Sequence, residues 1–142
     1  MRIPGAMVAL LVTVCLPVAT QFRADAVPAG AIAAAPWQPV ARINPQKAYK
    51  VQIVNQTGVS LEYASTTNEF APRRLKPGAT GTLMQLPLPI YLLISPVDPR
   101  FNLKFAVATN QNVVTITVRQ LPELQPGNTT VNIQQTGGIF VY

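Results

Sequence analysis

Apolar and polar residues alternate with a period of two along much of residues 48–142. The clearest case is residues 101–121. Leu103, Phe105 and Val107 fall on one face, and Lys104, Ala106 and Ala108 on the other. After Thr109-Asn110-Gln111-Asn112 the alternation resumes, with Val114, Ile116 and Val118 opposite Thr115, Thr117 and Arg119. A strand turns successive side chains to opposite faces, so this pattern sets one face on a core and the other in water. β-Branched residues crowd the second half, and amide-bearing turn residues separate the halves. The stretch predicts a long antiparallel hairpin with one dry face and one Thr-rich, basic face.

The same period recurs before and after it. Tyr49, Val51 and Ile53 alternate with Lys50, Gln52 and Val54, and Val59, Leu61 and Tyr63 with Ser60, Glu62 and Ala64. Asn55-Gln56-Thr57-Gly58 between them reads as the turn of a second hairpin, with Gly58 supplying a positive φ. Residues 70–78 carry three cations between prolines and read as a loop closed by a β-turn at Pro77-Gly78. Residues 80–86 predict a strand. The wholly apolar run at residues 90–94 predicts one buried on both faces. Val131 and Ile133 point inward in a further strand, Gly137-Gly138 turns the chain, and residues 139–142 end it as a strand. Seven or eight short strands punctuated by turns predict an all-β fold: a single antiparallel β-sandwich, Ig-like or a similar Greek key.

The start of the chain has a different character. Arg2 precedes an almost unbroken apolar run at residues 7–18, a polar stretch follows, and Ala24-Asp25-Ala26 makes an A-x-A site. Those are the three regions of a secretory signal, cut after Ala26 or at a later alanine. The run falls short of the roughly 20 apolar residues that a spanning helix needs. The only cysteine, Cys15, follows Val12-Thr13-Val14, a poor context for lipidation, and reads as apolar filler that leaves with the signal. Residues 27–47 contain Pro28, Pro36, Pro39 and Pro45 and read as an extended arm, its lone Trp37 tucked against the domain. The expected organisation is a signal peptide at 1–26, a Pro/Ala-rich arm at 27–47 and a β-domain at 48–142. Its place is outside the cytoplasm, in the periplasm, at the cell surface or secreted, and the Ala-rich signal points to a bacterium. Asn55-Gln56-Thr57 and Asn128-Thr129-Thr130 match the glycosylation sequon, which a bacterial setting leaves idle.

Composition narrows the chemistry. The 142 residues include no histidine, which removes Ser-His-Asp and Cys-His catalysis and the usual transition-metal sites. After residue 26 only Glu62, Glu69, Asp98 and Glu123 carry carboxylates, far apart in sequence. A Glu62–Glu123 glycosidase pair has no support beyond the presence of two acids. An enzyme built on Lys50 or Lys104 would need a pocket that depresses the lysine pKa. The expectation is therefore no enzyme, no catalytic residue, no metal and no cofactor.

Against four acids stand nine cations: Arg42, Lys47, Lys50, Arg73, Arg74, Lys76, Arg100, Lys104 and Arg119. Nine less four leaves about +5, which favours anionic partners. Arg73, Arg74 and Lys76, joined by Arg100 and Lys104, are the candidate anion-binding residues. Nucleic acid is a poor partner for an exported chain whose aromatics fall on apolar faces; peripheral membrane contact fits the charge. Phe140 and Tyr142 would suit the last strand of an outer-membrane barrel. Barrel strands run to about 9–11 residues, however, and prolines interrupt residues 72–99. The reading is a small, exported, basic β-domain that binds anionic envelope material or a protein partner without catalysis. The alternative is a structural subunit of a surface assembly joined by strand pairing, its oligomeric state left open.

Overall fold

The alternation becomes ten strands in the structure, a computed structural model that describes Ala35 and residues 37–142. Residues 1–26, read as a signal with its cleavage site and Cys15, lie outside the described residues. In chain order the strands are β1 (Ala41–Arg42), β2 (Lys50–Asn55), β3 (Leu61–Ser65), β4 (Arg73–Leu75) and β5 (Thr80–Met84). Then come β6 (Ile90–Pro96), β7 (Asn102–Asn110), β8 (Val113–Leu121), β9 (Thr130–Ile133) and β10 (Gly138–Val141). They form two open sheets, one of six strands in the order β1-β10-β9-β6-β3-β4 and one of four in the order β5-β2-β8-β7. Neither sheet closes on itself into a barrel, and no helix occurs among the described residues.

One hydrophobic cluster draws on both sheets. Leu61, Tyr63, Ile90, Leu92, Ile94, Val131, Ile133 and Ile139 come from the six-stranded sheet. Val51, Ile53, Leu83, Leu103, Phe105, Val114, Ile116 and Val118 come from the four-stranded one. Each fully buried aliphatic side chain contributes about 1.5–3 kcal/mol, so this shared core is the main stabilising term. Gly81 on β5 shows how closely one part fits: a Cβ there would lie 2.8 Å from the Tyr63 hydroxyl oxygen of β3. The aromatic ring occupies the space that a side chain would need.

The long hairpin is present. β7 and β8 pair antiparallel from Asn102↔Leu121 to Asn110↔Val113. Gln111 and Asn112 make the two-residue turn, with φ of 48° and 63° respectively. Positive φ at both central positions is the type I′ signature that matches strand twist. Leu103, Phe105, Val114, Ile116 and Val118 are buried, whereas Lys104, Ala106 and Arg119 are exposed.

Elsewhere the structure corrects the sequence reading. The sheets are not wholly antiparallel, since β2 runs parallel to β8 from Lys50↔Val113 to Asn55↔Val118. Residues 49–64 are not a hairpin: β2 belongs to the four-stranded sheet and β3 to the six-stranded one. The connection crosses between sheets, and Asn55, read as a turn residue, is the fully buried last residue of β2. Gly58 is not among the glycines with positive φ, which are Gly78 and Gly137. The basic segment is partly a strand, because Arg73, Arg74 and Leu75 pair with Tyr63, Glu62 and Leu61. The run at residues 90–94 is buried on one face only: Ile90, Leu92 and Ile94 are sealed, while Tyr91 and Leu93 are exposed. Ala41–Arg42, inside the stretch read as an arm, pair with β10. Trp37 is 78% exposed and not tucked in.

Candidate functional site

The five candidate anion-binding residues do not share one surface. Arg73 and Arg74 lie on β4, one edge of the six-stranded sheet, with Lys76 just beyond it. Lys104 lies on β7, the edge of the four-stranded sheet that approaches β1 at the opposite side. Arg100 sits in the loop between β6 and β7.

Their partners also differ. The Arg100 guanidinium forks onto Asp98, its Nη2 donating to Oδ2 at 2.6 Å and its Nε to Oδ1 at 3.0 Å. The Arg100 backbone N–H adds a bond to Oδ1 at 3.1 Å. The side-chain bonds lead in holding the Asp98 carboxyl at about 2, well below its usual value. Arg100 is thereby committed. Arg74 approaches Glu62 at 3.8 Å in an exposed pair, a contact of small energetic weight. Arg73 lies over the Phe70 ring, 5.4 Å from its centroid. Lys76 and Lys104 are exposed. Lys104 faces Arg119 across the β7–β8 ladder, and Arg119 donates from Nε to the Gln56 side chain at 3.1 Å.

One concavity was not foreseen from the sequence. A cleft of about 670 Å³ lies where β2 and β8 begin and β5 finishes. Its walls include Lys47, Tyr49, Lys50, Met84, Gln85, Leu86, Leu88, Gln111, Asn112 and Val113, with no acid among them. Two registers explain part of this grouping. Lys50 stands opposite Met84 on β5 and opposite Val113 on β8, so the three share a cross-strand row. Sequence separation hid the row, since only the β2–β8 parallel pairing brings residues 50 and 113 together.

Two hydrogen-bond groups fix the walls. Asn112 accepts the Asn44 N–H at 2.7 Å and donates to the carbonyls of Asn44 and Ala48 at 2.9 and 3.2 Å, strapping residues 44–48 to the hairpin turn. The Tyr49 hydroxyl donates to the Leu86 carbonyl at 2.9 Å. Burial pushes the Tyr49 phenol up to about 12. A smaller cleft of about 270 Å³ lies beside Ser95, Pro99, Phe101 and Asn128.

Other sequence candidates resolve plainly. The Asn55 amide cannot serve as a glycosylation acceptor while it is buried and donating to the carbonyls of Val59, Leu75 and Lys76. Asn128 accepts the Phe105 N–H at 3.1 Å. Glu62 pairs with Arg74, and Glu123 lies in the loop between β8 and β9. Among the described residues no three His, Cys, Asp or Glu side chains gather as a metal set.

The fold and these surfaces define a basic all-β domain of two sheets with a lysine-bearing cleft. No protein-family model, curated protein or solved structure matches the chain.

Proposed function

We propose that the chain is an exported, non-enzymatic binding domain whose two sheets stack as a β-sandwich and whose exposed cations hold anionic envelope material. The stacking reading is supported by the single hydrophobic cluster drawn from both sheets and by the fit of Tyr63 against Gly81. Export rests on the signal-like pattern of residues 1–26.

The observation that carries the binding reading is the imbalance of charge partners. Of the nine cations, only Arg74 and Arg100 have an acidic partner among the described residues, leaving seven without one. Six of those seven are exposed, and Lys50 is half-buried in the cleft wall. Exposed charges more than about 8–10 Å apart are screened at physiological ionic strength, so near neighbours act together best. Arg73, Arg74 and Lys76 are the closest such group in sequence.

Retention on an immobilised anionic polysaccharide tests this. Wild-type protein should be retained at low salt and released as salt rises. The Arg73→Gln, Arg74→Gln, Lys76→Gln variant should elute earlier with its melting temperature unchanged. Failure of the wild type to be retained even at low salt would remove the proposal.

One observation favours a second reading, a structural subunit joined by strand pairing. β7 pairs only with β8. Its other edge is met by Asn128 at Leu103 and Phe105, with no further strand in that sheet. Such an edge is a template for another chain. Sedimentation at several concentrations separates the readings, because only the second requires concentration-dependent assembly.

A further inference from the structure

We infer that the cleft between Lys50, Met84 and Val113 is a binding site for a small apolar carboxylate, an aliphatic chain ending in a carboxylate group. This goes beyond the polymer-binding reading, and its test turns on Lys47 and Lys50 in the cleft rather than on Arg73, Arg74 and Lys76.

The volume of about 670 Å³ falls in the range that takes a small organic molecule. The lining divides into two chemistries. Pro45, Met84, Leu86, Leu88 and Val113 offer aliphatic surface. Met84 is 63% exposed, so its side chain is accessible from the cleft. A bound aliphatic chain would remove such surface from water, which is the driving term for ligands of this kind.

The polar lining points to the sign of the ligand. Asn112 is occupied by its own loop, and the Tyr49 hydroxyl by the Leu86 carbonyl. Neither is free for a ligand. Gln85 and Gln111 have side chains without a hydrogen-bond partner among the described residues, and Lys47 and Lys50 have no acidic partner. The free groups are therefore two ammonium donors and two neutral amides, and no carboxylate competes for them. Lys50 stands in the cross-strand row between Met84 and Val113, and all three line the cleft, so a ligand there meets a cation beside hydrocarbon. A charge-assisted bond from lysine to a carboxylate is about twice as strong as a neutral one. An acyl carboxylate satisfies both halves of the lining; a neutral lipid or a small hydrophilic anion satisfies one.

Calorimetric titration of the full chain with decanoate, decanol and acetate tests the assignment. Decanoate should bind saturably at one site, and decanol and acetate at least about tenfold more weakly, the loss expected when one of two contributing terms is absent. Lys47→Gln with Lys50→Gln should weaken decanoate to a similar degree without changing the melting temperature. Met84→Glu, at an exposed position, should also abolish tight binding by placing an anion beside Lys50. Arg42→Gln, on the other sheet, should leave decanoate affinity unchanged.

Equal affinity for decanol and decanoate would overturn the site's anionic selectivity. Retained decanoate binding in both the double-lysine and Met84→Glu variants would overturn its location. A short peptide ending in leucine that bound more tightly than decanoate would replace the acyl ligand with a chain terminus. Loss of polysaccharide retention by the Arg73, Arg74 and Lys76 variant does not bear on this cleft, so the two proposals fail separately.

Discussion

Replacing Asn55 by alanine should be among the most damaging single changes in this protein. Asn55 is fully buried at the end of β2. Its Nδ2 donates to the carbonyls of Val59, Leu75 and Lys76 at 2.9–3.1 Å. Its Oδ1 accepts the Thr57 N–H at 2.9 Å and the Thr57 hydroxyl at 2.6 Å. Five contacts at about 1 kcal/mol each suggest a ceiling near 5 kcal/mol. Two Nδ2 hydrogens are shared among three carbonyls, and the Thr57 hydroxyl can turn wholly onto the Val59 carbonyl at 2.9 Å, which lowers the sum. Leaving buried groups unsatisfied raises it again, so the expected loss is about 3–5 kcal/mol. Urea unfolding followed by far-ultraviolet circular dichroism measures it. For a slope of about 1.5 kcal/mol per molar urea, the midpoint should fall by about 2–3 M. Gln56→Ala, one residue on and exposed, serves as the comparison. A loss below about 1 kcal/mol for Asn55→Ala would refute the reasoning, because it would mean that other donors meet those carbonyls.

Phe105→Ala should cost about 3–5 kcal/mol as a buried aromatic deletion; Lys104→Ala, exposed on the other face, should stay within about 0.5 kcal/mol. Equal losses in denaturant melts would show the inward face of β7 to be misassigned. Tyr49 makes stability fall at alkaline pH. Its folded value is raised to about 12 from the ordinary 10, so the folded state holds the proton more tightly. The contribution is full below about 10 and is lost as pH rises through about 12. The tyrosinate absorbance difference between wild type and Tyr49→Phe should titrate near 12, and a midpoint near 10 would refute the burial argument.

The alternation of Leu103, Phe105, Val114, Ile116 and Val118 settled the all-β class and the inward face of the long hairpin, because a period of two is a local property of extended chain. A turn within residues 109–112 was legible for the same reason, and the structure narrows it to Gln111-Asn112, with Thr109 and Asn110 still in β7. The count of cations and acids and the absence of histidine were likewise complete before any fold was known. Strand direction was not. Val51, Ile53 and their neighbours alternate identically whether β2 runs parallel or antiparallel to β8, and only the crossing through the six-stranded sheet makes the pair parallel.

Asn55 shows the limit most plainly. Asn55, three residues before Gly58, favours a turn on local grounds, yet its amide meets carbonyls 20 and 21 residues away, which only the folded chain supplies. The candidate anion residues were readable as a cluster along the chain. The pairing of Arg100 with Asp98 is local, two residues apart in one loop, but tertiary structure decided that Lys104 lies on a different sheet edge from Arg73 and Arg74. It also decided that Lys50, Met84 and Val113 meet, since strand pairing can join positions to which sequence separation gives no clue.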